Sequence, residues 1–263
     1  LGLTNTAAGG INLVSRGGDM ILGGNVAAAG QTVSLTTQNG SLSQSSGAIT
    51  ARRLDAAART GITLTQAGNN ISQLGTVSNS LSGGIAYTDA NGFGITGNIS
   101  AAGQSLTLGS LDATADFYQA TTGSVITAGT LNINGGRYYM LRGVNGTGNA
   151  IGAIGDVNAK LSLNTSGAVD FRGNVVTDFL ELSSAGDITQ SSGRIENHSG
   201  GQLAFWGTNI SLTSATNQLG RILQLRTWDS DFTGWFNVGT GDVTLVSTGD
   251  VSVAYISAVN ASL

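Results

Sequence analysis

The chain has 263 residues, with 41 Gly, one His, no Pro, no Cys, 10% charged residues and a net charge of −4. The lack of Cys excludes a disulfide framework, a thiolate metal site and a Cys nucleophile, and the single imidazole excludes a His-rich metal centre. Eleven Lys and Arg, isolated except for Arg52-Arg53, give no basic footprint for a nucleic acid or an anionic membrane, while 40% hydrophobic residues argue for a folded chain.

In chain order, short apolar–polar–apolar units recur at Ile11/Leu13, Val33/Leu35, Ile62/Leu64, Leu106/Leu108, Leu131/Ile133, Leu161/Leu163, Leu180/Leu182, Ile210/Leu212 and Val243/Leu245. Residues i and i+2 of a strand face the same way, so each unit predicts a strand with two side chains in one core. The intervening residues are mostly Ser, Thr or Asn, which suit a wet outer face. Successive units lie 22, 29, 44, 25, 30, 19, 30 and 33 residues apart. A basic turn of about 20 to 25 residues, with insertions in some turns, accounts for that spread. Only Arg52–Arg59 has helical propensity, and its place before Gly61-Ile-Thr-Leu64 predicts a strand and corner instead.

Longer echoes join these units. Gly24-Asn-Val-Ala-Ala-Ala-Gly-Gln-Thr-Val-Ser-Leu35 returns 73 residues later as Gly97-Asn-Ile-Ser-Ala-Ala-Gly-Gln-Ser-Leu-Thr-Leu108, and Leu42-Ser-Gln-Ser-Ser-Gly-Ala-Ile49 returns as Ile188-Thr-Gln-Ser-Ser-Gly-Arg-Ile195. Asn-Gly at 39, 91, 134 and 145, and Gly-Asn at 24, 68, 97, 148 and 173, mark expected corners with positive φ. Two architectures suit many short strands. Asn-Gly is a hairpin signal and favours a sandwich or barrel. A parallel β-helix explains more, because echoed units then occupy equivalent places in successive coils. It predicts an all-β solenoid of about a dozen coils with some extra-helical loops, a rod ~55 Å long.

The Leu-x-x-x-Gly-x-Ile units, the Ala51–Leu54 run leading into Gly61-Ile-Thr-Leu64-Thr-Gln-Ala-Gly-Asn-Asn-Ile71, and the Gly, Asn, Ser and Thr background resemble filamentous haemagglutinin-like exoproteins of bacterial two-partner secretion. The resemblance implies a right-handed parallel β-helix, export through an outer-membrane barrel transporter, a secreted or cell-surface location, and a role in adhesion to host or bacterial glycans. The family's Asn-Pro-Asn secretion motif is missing from this Pro-free sequence. Residues 1–263 therefore read as one β-helical shaft segment of a longer exoprotein, with adjoining coils expected at both ends and transporter recognition elsewhere. Absence of Pro suits a shaft, since Pro cannot donate to a ladder.

Chemistry is sparse. Trp228, Asp229, Asp231 and Trp235 lie in the most aromatic stretch, within an insertion expected over 226–240. Carboxylates and indole faces there fit a Ca²⁺ or carbohydrate contact, or else an insertion packed on the rod. Two acids do not fill the six to eight oxygen positions of Ca²⁺, and neither a metal nor a cofactor is assigned. Dispersed carboxylates (Asp112 and Asp116, Asp170 and Asp178) leave open a β-helix polysaccharide-binding or polysaccharide-degrading alternative, since neighbouring coils can juxtapose acids. His198 between Asn197 and Ser199 reads as a surface corner. The resulting expectation is a non-enzymatic adhesive stalk, with the aromatic region after residue 200 as its interaction end.

Overall fold

The computed structural model describes residues 2–120, 124–143, 148–227 and 241–262. None of these is helical; strands make up 63% of the structure and form an all-parallel β-solenoid of about 11 turns. The expected parallel β-helix is what forms, and among the described residues no antiparallel pair supports a sandwich. At ~4.8 Å per rung the stack is about 50 Å long.

Stacking is continuous through the body. Met20, Leu42, Ile62, Ile85, Leu106, Leu131, Ile154, Phe171 and Gln190 lie in register one above another. Within one coil the chain crosses three ladders, with Met20 on Leu42, Val26 on Ile49 and Val33 on Leu54. The two-residue period works as read: Val33, Leu35, Leu106, Leu108, Leu161, Leu163, Leu180 and Leu182 are all fully buried. The Arg52–Arg59 segment lies largely in the strand Ile49–Ala58, where Leu54, Ala56 and Ala58 point inward. Nonlocal pairing overrides helical propensity because a helix there would leave two ladders unpaired.

Why the units are irregularly spaced becomes clear from the register. Leu35 stacks on Ala56, then Val77, then Ile99. In the 73-residue echo, however, Ile99 corresponds to Val26 and not to Leu35. The echoed block is thus displaced by three rungs plus one wall. The repeating element is a wall with its corner, and similar walls substitute for one another around the cross-section. Both copies also share an outward loop: Gly30 and Gly103 have φ of 74° and 73°, and each register slips there, between Ala28 and Thr32 and between Ala101 and Ser105.

The corners carry a buried polar device. Gln44 and Asn69 form a reciprocal amide pair, Nε2 to Oδ1 at 2.9 Å and Nδ2 to Oε1 at 3.0 Å. Gln119 and Asn149 repeat it at 2.8 and 3.0 Å, as do Gln190 and Asn217 at 3.0 and 2.7 Å. In each, the Asn oxygen also accepts the backbone N–H of an Ile: Ile49, Ile126 and Ile195. The three Asn side chains have no exposure at all. A buried amide is tolerated only when its donors and acceptors are paired, and these clasps pair them while closing the corner. The echo Gln44-Ser-Ser-Gly47 and Gln190-Ser-Ser-Gly193 is therefore a corner motif. Gly47 and Gly193 have φ of 80° and 68°, and a Cβ would come within 2.2 and 2.0 Å of the preceding coil's backbone.

One expectation about corners needs correction. Of the Asn-Gly and Gly-Asn glycines, Gly135 has φ 76°, but Gly97 and Gly173 do not have positive φ. They are required for another reason: a Cβ would approach the backbone of Gly75 and Gly155 to 2.5 and 2.2 Å. At these sites rung-to-rung proximity, not left-handed backbone, selects glycine.

From Tyr87 onward the interior also contains an aromatic column. Tyr87, Phe93 and Phe117 meet edge to face at 5.3 and 4.9 Å, and Phe117 stacks on Tyr139 at 4.1 Å. Beside it Asp89, with no exposure, accepts from Tyr87 Oη at 2.6 Å, from Ile71 N and from Asn91 N.

Candidate functional site

Trp228, Asp229, Asp231 and Trp235 lie outside the described residues, as does most of the 226–240 insertion. The functional chemistry visible in the structure lies elsewhere, on the outer face of the wall built by the strands Asp116–Gln119, Tyr138–Leu141, Lys160–Thr165, Val175–Ser184, Ile195–Gly207 and Arg221–Thr227. Alternation buries Phe117, Tyr139, Leu161, Leu180 and Leu203 and turns their neighbours outward. Tyr118, Met140, Ser162, Glu181, Ala204 and Gln224 form one row in register, in which Tyr118 and Met140 are exposed while Ser162 and Ala204 are covered by their neighbours. Asp116, Tyr138 and Lys160 begin the adjacent row, which Phe179 and Gln202 continue.

Ion pairs link the rungs. Arg137 Nε donates to Asp116 Oδ1 at 2.7 Å, Lys160 Nζ lies 3.3 Å from Asp178, and Arg142 reaches Glu181 Oε2 at 2.7 Å. Ser162 Oγ sits between the last two, accepting from Arg142 Nε at 2.8 Å. Tyr138 and Phe179 meet edge to face at 5.6 Å. Aromatic faces and oriented charges on consecutive rungs can grip an extended ligand along the rod axis.

Each described carboxylate named from sequence is engaged by a hydrogen-bond donor or a cation. Asp112 accepts from Thr114 N and Oγ1, which hold its carboxyl below the usual range. The Arg137 hydrogen bond does the same for Asp116. For Asp170, burial pushes upward, but hydrogen bonds from Ser191, Arg172 and Thr189 outweigh it and leave the group lowered. Asp178 is paired with Lys160. Asp89 is raised, chiefly by burial, against hydrogen bonds from Tyr87, Asn91 and Ile71. It is enclosed in the core, where no substrate reaches it. Among the described residues, no three His, Asp or Glu side chains gather as metal ligands. His198 is exposed, as expected, but lies within the strand Ile195–Gly207.

A second concavity, of about 630 Å³, runs past Asn132, Asn134, Asp156, Asn158 and Asn174. Its oxygens are engaged by neighbouring rungs: Asp156 N donates to Asn132 Oδ1, Asn174 N to Asp156 Oδ1, and Gly135 N to Asn158 Oδ1. Asn132, Asp156 and Asn158 thus act as corner fastenings, each with a side-chain oxygen turned to the backbone of a neighbouring rung.

Sequence reasoning pointed to the aromatic region after residue 200, where Trp206 lies, and missed Phe179, Tyr138 and the Arg142–Glu181 pair. A signal existed for Phe179. It precedes the Leu180/Leu182 unit, so alternation alone puts a phenyl ring where the pattern calls for a polar residue. Pairing of Arg142 with Glu181, 39 residues away, depends on the rung register and left no local trace. Comparison with known proteins gives no further guide, for no family model, curated protein or solved structure matches the chain.

Proposed function

We propose that the chain is the stalk of a secreted or surface-anchored bacterial adhesin of the filamentous haemagglutinin-like kind, a rigid projecting rod with a weakly adhesive flank and no catalytic activity. The observation that carries this reading is the unbroken column from Met20 to Gln190: nine successive rungs place a core side chain over its counterpart. Such a column resists bending because each rung is bonded to both neighbours along three walls. Hydrogen bonds hold the carboxyls of Asp112, Asp116 and Asp170 below the usual range, so they stay ionised at neutral pH, which favours a binding or structural role, since a general acid there needs a raised value.

The alternative, a β-helix that binds or degrades polysaccharide, draws support from the outward aromatic and carboxylate rows. Two measurements separate the readings. Solution scattering is expected to give a rod with a constant cross-section, and beads coated with the chain are expected to adhere to glycan-bearing cells. Release of reducing or unsaturated ends from acidic polysaccharides would overturn the non-enzymatic reading, and a globular scattering profile would overturn the stalk.

A further inference from the structure

The outer wall contains one recess with the composition of a ligand site. On the strand Arg221–Thr227, Leu203 pairs with Ile222 and Ala204 with Gln224, so Leu223 is an extra residue. A bulge of this kind bends its strand and re-aims side chains. The result is a hollow of about 240 Å³ bounded by Phe179, Trp206 and Leu223, with Gln202, Gln224 and Glu181 among its lining residues. Alternation explains the ring positions, since Phe205 is buried and Trp206 therefore faces outward. Arg142 and Ser162 both engage Glu181 through Oε2, which fixes the carboxylate and leaves Oε1 without a hydrogen bond among the described residues. Neither the Gln202 amide, the Gln224 amide nor the Trp206 indole N–H makes a hydrogen bond among the described residues.

We propose that this hollow is a subsite for one ring of a neutral pyranose oligosaccharide. The inference rests on the adhesive reading above and gives it a location and a ligand chemistry. A pyranose has an apolar face, which packs on Trp206 and Phe179, and a rim of hydroxyls, which pair with the two amides and with Glu181 Oε1. A wholly apolar plug, such as a partner protein's leucine, would cover these polar groups without pairing them. An acidic sugar is disfavoured because Glu181 is the charge lining the hollow and Arg142 is already committed to it. The ring surface continues from Phe179 to Tyr138 on an earlier rung, so further sugar rings run along the axis.

The test titrates the purified chain with cellotriose, maltotriose, chitotriose and trigalacturonate, read by saturation-transfer NMR and by fluorescence. At least one neutral trisaccharide is expected to bind in the millimolar range, with trigalacturonate weaker. Trp206→Ala and Gln224→Ala are each expected to raise its Kd about tenfold, and Trp206→Phe to stay within about threefold. If Trp206→Ala fails to fold, Gln202→Ala and Gln224→Ala at the solvent-facing rim decide the matter. No binding by any neutral sugar, tighter binding of trigalacturonate, or unchanged affinity in the Trp206 and Gln224 variants overturns the proposal. Coated-bead adhesion that survives Trp206→Ala would sink the subsite while leaving the adhesive stalk standing. A globular scattering profile would sink the stalk independently.

Discussion

The coils before Tyr87 and the coils from Tyr87 to Trp206 are built on one plan from different materials. The first 86 residues contain no Phe, Tyr or Trp, yet the stacked column and the Gln44–Asn69 clasp are complete there. The later coils repeat the same clasp at Gln119–Asn149 and Gln190–Asn217. They add a buried aromatic column, an outward aromatic row, and five of the six ion pairs found among the described residues. The early coils thus act as an internal control: small aliphatic residues and amide corners suffice for the solenoid. Outward Tyr118, Tyr138, Phe179 and Trp206 are surplus to folding, which makes them candidates for binding.

The comparison is broken most severely at the shared corners. Asn69→Ala and Asn149→Ala each strand a buried Gln amide and an Ile N–H. Both should cost about 3 kcal/mol or more in urea unfolding. Equal losses in the two regions would establish the clasp as common framework, whereas a negligible loss at Asn69 would show that the aliphatic coils do not depend on it.

A second test uses Asp89, which takes the place that Asn69 holds one coil earlier: Ile71 N donates to Asp89 at 3.0 Å as Ile49 N donates to Asn69 at 2.9 Å. Burial raises the Asp89 carboxyl above its ordinary 3.8. Between the ordinary and the raised value the native state holds a proton that the unfolded chain releases. That contribution to stability is therefore present at low pH and lost as pH rises through the folded value. Asp89→Asn removes it, so the variant's stability relative to the parent should climb from about pH 4 toward neutrality, measured by denaturant melts across pH. A pH-independent difference would mean that Asp89 is not perturbed.

The smallest effect sharpens the contrast between the two surfaces. Phe179→Thr loses one edge-to-face contact with Tyr138 and some half-buried area, and should shift the unfolding midpoint by the equivalent of under about 1.5 kcal/mol. A loss as large as at Asn69 would mean that the outward rings are structural after all.

Much of this fold was legible. Period-two units at Leu106/Leu108 and Leu180/Leu182 set which side chains turn inward, and the Gln44 and Gln190 echoes marked true corners. The third clasp was hidden because Gln119 and Ile126 are two residues further apart than Gln44 and Ile49. The candidate site was legible only in Trp206. Phe179 was readable in principle from alternation. Gln202, Leu223 and Gln224 were not, because the hollow depends on an extra residue in one strand.

By itself, the sequence determined that short strands with one apolar face, punctuated by small residues and free of Pro, must wind and stack. Those properties are local, set by backbone alternation and steric allowance. Only the tertiary structure decided which wall lies over which, that Ile99 sits above Leu35 and not above Val26, and that Glu181 meets Arg142. Register between rungs is the sum of every corner and bulge before it, so a single added residue moves distant side chains into or out of contact.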